Sequence, residues 1–185
     1  MIKKTFILPK KQTGDALVNL MIALVIMAVI GAASYRSMRD SNRDVEIENA
    51  IKAVNLTANS LRSNFGVTGQ YGTVTTAIAV QSRTIPESQR IAGTNTAQNS
   101  FGGAVTTTPV QLTSANDAVD LSWANIAPWA CARIVLGTAG SARRITVGGT
   151  AVKPIDGAIA TATLTQQCDV DDPVTIVWAV GRTGA

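Results

Sequence analysis

The chain has 185 residues, 46% hydrophobic and 15% charged, which suits one ordinary domain or one domain plus an appendage and argues against wholesale disorder. It has no histidine and two cysteines, which removes the usual general base and the commonest metal ligand and makes most enzyme classes and zinc modules poor candidates. The net charge of +4 is local: Lys3, Lys4, Lys10 and Lys11 precede Gly14, no acid does, and setting those four aside leaves 12 basic against 12 acidic side chains.

Residues 1–14 therefore read as a cytoplasmic targeting leader rather than a nucleic-acid-binding face. From Ala16 to Tyr35 the sequence carries no charge. A helix of that length spans about 30 Å, the thickness of a bilayer's hydrocarbon core, and the preceding lysines orient it N-in. Three readings compete for it. It is a secretory signal cut near Ala32–Ala33–Ser34, a plain signal anchor, or the mature N-terminus left after a leader is removed upstream.

Beyond Tyr35 the chain turns polar but keeps a helical period. Ile47, Ile51, Val54, Ala58, Leu61 and Phe65 form an apolar seam. Arg36, Arg39 and Arg43 lie on one exposed side, and Asp40, Asp44 and Glu48 step along another. Glu48 and Lys52 make a favourable pair one turn apart. Gly66 and Gly69 supply the stop. One helix from Asp15 to about Phe65 would be roughly 75 Å long. Its first half, apolar all round, needs lipid or other copies of itself; its second half needs a globular domain to pack against.

The remainder predicts strands over Thr73–Val80, Ala104–Leu112, Val119–Trp123, Arg143–Val147, Ala158–Thr165 and Thr175–Val180. Pro109 marks the second as an edge or a split strand, and Ser82–Asn99 reads as a long loop. Trp123–Leu136 reads as a second helix, with Pro128 in its first turn and Gly137 at its end. Gly148–Gly149 marks a turn. The expected fold class is α+β: a long N-terminal helix packed on an antiparallel sheet with one further helix.

Chemical motifs are weak. Asp169, Asp171 and Asp172 lack the ligand set of a calcium loop and read as a solvated turn. Gly137–Arg144 lacks the lysine and hydroxyl of a phosphate-binding loop. Arg143–Arg144 reads as a solvated strand end, with an acidic neighbour or nucleic acid as the functional alternative. No catalytic residue, cofactor or metal is expected, and with 4% aromatics no nucleic-acid partner is.

This arrangement resembles the type IV prepilins, and the type IVb pilins among them. The basic leader ending in Gly14, the charge-poor stretch after it, the amphipathic NAIKAVNLTANSLRSNFG (Asn49–Gly66) and a late cysteine pair carry the resemblance. NSFGGAV (Asn99–Val105) and ACARIVLGTAGSARRITV (Ala130–Val147) are similar to segments of bundle-forming and toxin-coregulated pilins and of conjugative thin pili. The resemblance implies a pilin fold with a leader over 1–14, a transmembrane and filament-core helical half over 15–35, and a globular domain over 36–185. It implies cleavage after Gly14 by a prepilin peptidase, methylation of the new amine on Asp15, and residence in the inner membrane. Extraction by a cytoplasmic ATPase and a platform protein into a helical homopolymer would follow. The filament's surface would then meet a host or recipient cell.

Two positions depart from the family pattern. The first mature residue is usually large and apolar; here it is Asp15. The fifth is usually a glutamate that pairs with a neighbour's N-terminal ammonium; here it is Asn19, which can accept a hydrogen bond but cannot neutralise the charge. Cys131 and Cys168, 37 positions apart, are expected to form one structural disulfide outside the cytoplasm. A catalytic thiol would lack a histidine to activate it.

Overall fold

The computed structural model describes residues 15–67 and 69–182, leaving aside the side chains of residues 15–17, 32, 33, 36 and 37. It contains two compact units, Met1–Asn42 and Arg43–Ala185. Helix α1, Asp15–Leu61, is continuous and contributes to both.

In the first unit the described apolar side chains point outward on every face. Val18, Leu20, Met21, Ile22, Leu24, Val25, Ile26, Met27, Val29 and Ile30 are each more than half exposed. Among the described residues no helix is long and apolar enough to cross a membrane; within the uncharged run the described side chains are those of Val18–Gly31, Ser34 and Tyr35.

The second unit is built on a six-stranded antiparallel sheet. Its strands are β1 (Ala97–Gln98), β2 (Ala104–Val110), β3 (Ala118–Ile126), β4 (Arg144–Val147), β5 (Thr150–Lys153) and β6 (Val174–Gly181). Their order is β1-β2-β3-β6-β4-β5. Central β6 pairs with β3 on one side and β4 on the other, so its polar groups are used twice. Alternation on β3 buries Val119, Leu121 and Trp123 on the core face. Trp123 meets Trp178 of β6 edge to face, with ring centroids 5.8 Å apart.

The α1 seam packs into this core. Ile47, Ala50, Val54, Ala58 and Leu61 are at most 2% exposed, while Ile51 and Phe65 pack partly buried against the cluster. After Leu61 the helix loosens into a π turn, Arg62–Gly66, so the expected stop near Phe65 holds.

Two predicted strands are short helices instead. Thr73–Val80 contains a 3₁₀ turn (Tyr71–Thr73) and α2 (Thr76–Gln81), and Ala158–Thr165 runs into α4 (Thr161–Cys168). Thr75 starts α2 by accepting from the Ile78 N–H at 3.4 Å, the N-cap role that suits threonine. Helix α2 covers an open sheet edge: the Thr107 N–H of β2 donates to Thr76 Oγ1 at 2.9 Å. Along β2, strand β1 covers only Ala104 and Val105, so among the described residues Pro109 lies where β2 faces no strand on that side.

The expected helix from Trp123 also begins later. Strand β3 runs through Ile126, with a register shift between Trp123 and Ile126 and Asn125 at φ 60°. Helix α3, Pro128–Thr138, then starts on Pro128, whose missing N–H costs nothing in a first turn. Gly137 lies inside α3 rather than ending it. Cys131 of α3 and Cys168 of α4 are joined in a disulfide that ties these two helices together.

Candidate assembly surfaces

Of the positions implied by the prepilin resemblance, Gly14 lies outside the described residues, as does leader 1–14. Asp15 is the first residue of α1, and its side chain is outside the description. Asn19 is exposed on the apolar helical half. An exposed amide among exposed aliphatic side chains can accept or donate a hydrogen bond to a neighbouring helix, but it offers no charge.

The Asn99–Val105 segment is a turn held by its own first residue. Asn99 is 5% exposed. Its Oδ1 accepts from the Phe101 and Gly103 N–H groups at 2.9 and 3.0 Å, and its Nδ2 donates to the Ala124 carbonyl at 2.7 Å. Gly102 takes φ 78°, and Gly103 passes against the β3 backbone. The turn delivers Phe101 to Trp129, edge on at 5.9 Å. The Arg43 guanidinium lies over the other part of that surface, 5.0 Å from the Trp129 ring centroid. One turn along α3, Arg133 pairs with Asp44. These contacts fix the N-terminal part of α3 beside residues 43 and 44 of α1.

Arg143 and Arg144 are not a solvated strand end. Arg143 is 4% exposed and holds Asp156 through Nη2 at 2.6 Å and Asp117 through Nη1 at 3.5 Å. Arg144 pairs with Asp120 at 3.2 Å. Burial opposes the charge on Asp117. The Leu112, Thr113 and Ser114 N–H groups and the Thr113 hydroxyl outweigh it and hold that carboxyl well below the ordinary range. The Arg143 hydrogen bond holds the Asp156 carboxyl low as well. With both guanidiniums committed to carboxylates, neither is presented to a nucleic-acid backbone.

Asp169, Asp171 and Asp172 are exposed just after the disulfide. Among the described residues no group of acids, cysteines or histidines could hold a metal ion.

One site escaped the sequence reading because its parts are far apart in the chain. Arg62, Gly66, Val67, Tyr71, Gly181 and Arg182 line an open cleft of about 390 Å³ at the C-terminal end of α1. Arg182 Nε donates to the Gly66 carbonyl at 2.8 Å, and Arg62 Nη2 donates to the Ser141 carbonyl at 2.7 Å. No local motif links positions separated by 116 residues.

The PilS N-terminal family model matches residues 31–181, more than half of the chain. A type IVb pilin from Salmonella typhi superposes with a TM-score of 0.58 at 17% identity, covering 74% of this chain and 99% of that one. TcpA, a type IV pilin from Vibrio cholerae El Tor biotype, covers 71% of this chain and 98% of its own at 14% identity, with a TM-score of 0.49. No curated protein sequence matches. The chain belongs to the PilS N-terminal family and has the fold of a type IVb pilin.

Proposed function

We propose that the chain is a structural subunit of a type IVb pilus in a Gram-negative bacterium. A prepilin peptidase removes leader 1–14 after Gly14, and the amine of Asp15 is methylated. Residues 15–35 hold the subunit in the inner membrane until an ATPase and a platform protein extract it into a helical homopolymer. The globular part, 36–185, forms the outer surface, which serves adhesion or plasmid transfer at a host or recipient cell. The mechanism is assembly, not turnover.

The observation that carries this reading is the contrast along α1. Past Ile47 one face is buried in the domain, whereas from Val18 to Ile30 apolar side chains are exposed all round. Exposed apolar area favours burial by about 25 cal/mol per Å² against water. Against lipid that term nearly vanishes, and close approach at small residues such as Ala23, Ala28 and Gly31 supports helix packing instead.

Mass analysis of the mature N-terminus, with electron microscopy of sheared surface material, tests the proposal. A species starting at Asp15 in filaments supports it; one starting near Ser34, without filaments, overturns it. Asp15 places a carboxylate beside its own amine, which offsets the charge that Asn19 cannot. Asp15→Met is therefore expected to impair piliation, and normal piliation would remove this role. The same two departures favour a second reading, a minor pilin or a pseudopilin at a filament tip, present in few copies per filament, which subunit counting separates from the first.

A further inference from the structure

The cleft at the end of α1 is strongly basic and incompletely satisfied. Neither Arg62 nor Arg182 has a carboxylate partner among the described residues. Among the described residues the Arg62 Nε–H and the Tyr71 hydroxyl are buried without a hydrogen-bond partner, and Tyr71 as a whole is 0% exposed. A buried hydroxyl left unpaired costs about 1–3 kcal/mol, so its place on the wall of an open cleft points to a ligand that the described residues do not supply. Burial raises the Tyr71 phenol and both guanidiniums oppose that rise, so the phenol stays a proton donor beside two fixed positive charges. Two guanidiniums and a phenol in one cleft are a carboxylate-binding set.

The matching acid is on the same domain but at its other end. Asp169, Asp171 and Asp172 are exposed and make no ion pair among the described residues. The disulfide fixes that loop beside Cys131, on the stretch of α3 where Trp129 and Arg133 meet Arg43 and Asp44. From residue 44 to residue 62 α1 rises about 27 Å at 1.5 Å per residue. The acidic loop of one chain therefore does not reach the basic cleft of the same chain. Val170, 42% exposed between the aspartates, matches Val67, 83% exposed on the cleft rim.

We propose that the Arg62–Tyr71–Arg182 cleft receives the Asp169–Asp172 loop of a second copy of this chain. The contact is head to tail: one surface of each copy meets a different surface of the next. Such a heterologous contact closes into a ring only when the rotation between copies closes; otherwise it propagates into an open helical filament, the geometry a pilus needs. The proposal rests on the filament reading and adds to it the surfaces by which globular parts of successive subunits meet.

Charge reversal in the full-length chain tests it, with surface filaments as the readout. Arg182 is the residue to change, because Arg62 also holds the Ser141 carbonyl. Arg182→Glu alone, and Asp171→Lys with Asp172→Lys alone, are each expected to reduce filaments at least tenfold while leaving the membrane pool of subunit unchanged. The three changes together are expected to restore filaments. Normal filaments from either reversed chain, or no restoration in the combined one, would overturn the contact and leave the subunit reading intact. Absence of filaments from the wild-type chain would overturn the subunit reading and this contact with it.

Discussion

Gly137 of α3 lies against Ile51 of α1 so closely that a Cβ on the glycine would be 2.5 Å from Ile51 Cδ1 and 3.0 Å from its Cγ1. Asn55 fastens the same approach, its Nδ2 donating to the Gly137 carbonyl at 3.4 Å. The glycine that reads as a helix stop is thus a contact point between two helices. Its value there is the missing side chain, not left-handed freedom. Gly137→Ala is expected to lose about 1–2 kcal/mol, because overpacking against the stiff isoleucine exceeds the helix propensity gained. Ile51→Val removes the clashing methyl, so the double variant should be more stable than Gly137→Ala alone. Denaturant unfolding of the four chains of this cycle measures that coupling.

Gly103 gives a harsher version of the same constraint. A Cβ there would fall 1.8 Å from the Ala124 carbonyl oxygen and 2.4 Å from its carbon, both backbone atoms of β3. Backbone cannot swing aside as a side chain can. Gly103→Ala should cost about 3 kcal/mol or more. Neighbouring Gly102 has open space but takes φ 78°, so Gly102→Ala should cost only about 1–2 kcal/mol. Thermal melting of the two variants separates the steric cause from the conformational one, and equal losses would contradict the distinction.

Which elements were legible follows from what each one buries. The α1 seam repeats at helical spacing over many turns, and β6 is a run of β-branched and aromatic residues between two partners; both signals are strong and local. Helices α2 and α4 lack that redundancy. α2 is Thr76–Gln81, whose threonine, isoleucine and valine favour strand by propensity, and it is helical because it caps the β2 edge. α4 buries only Leu164 and Cys168, one of them through the disulfide, so its helical face is two residues wide. In both, tertiary contacts override a weak local preference. The basic cleft was illegible for a related reason: it joins residues from the end of α1 with the end of β6, and pairing of distant segments leaves no periodic trace.

Removing the disulfide tests how far α3 and α4 depend on it. Cross-linking positions 37 apart restricts the unfolded chain by roughly 3–4 kcal/mol in the entropy model. Cys131→Ser with Cys168→Ser should lower stability by that order. The largest gain in hydrogen exchange should fall in Thr161–Cys168, whose packing is thinnest. The sheet amides of β3 and β6 should remain protected. Uniform loss of protection across the domain would mean that α4 unfolds only with the whole core.

The carboxylate of Asp117 makes acid the domain's weak side. Burial would raise its pKa, but three backbone N–H groups and the Thr113 hydroxyl favour the charged form, and the net effect is a lowered value. A carboxyl with a depressed pKa in the folded state contributes stability that is fully present above its unfolded value near 4 and is lost as pH falls through the folded value. Stability should therefore be flat from neutral pH down to about 5 and then decline through the acid range, because below about 4 the unfolded chain takes up a proton that folded Asp117 still refuses. Asp117→Asn should lower stability at neutral pH by about 2 kcal/mol, since the amide keeps one acceptor and loses the charge that its donors and Arg143 address. The same variant should flatten the acid decline. Unfolding free energies measured from pH 7 to pH 3 decide it: an unchanged slope in Asp117→Asn would move the acid sensitivity to other groups, with Asp156, held low by the same arginine, as the next to test.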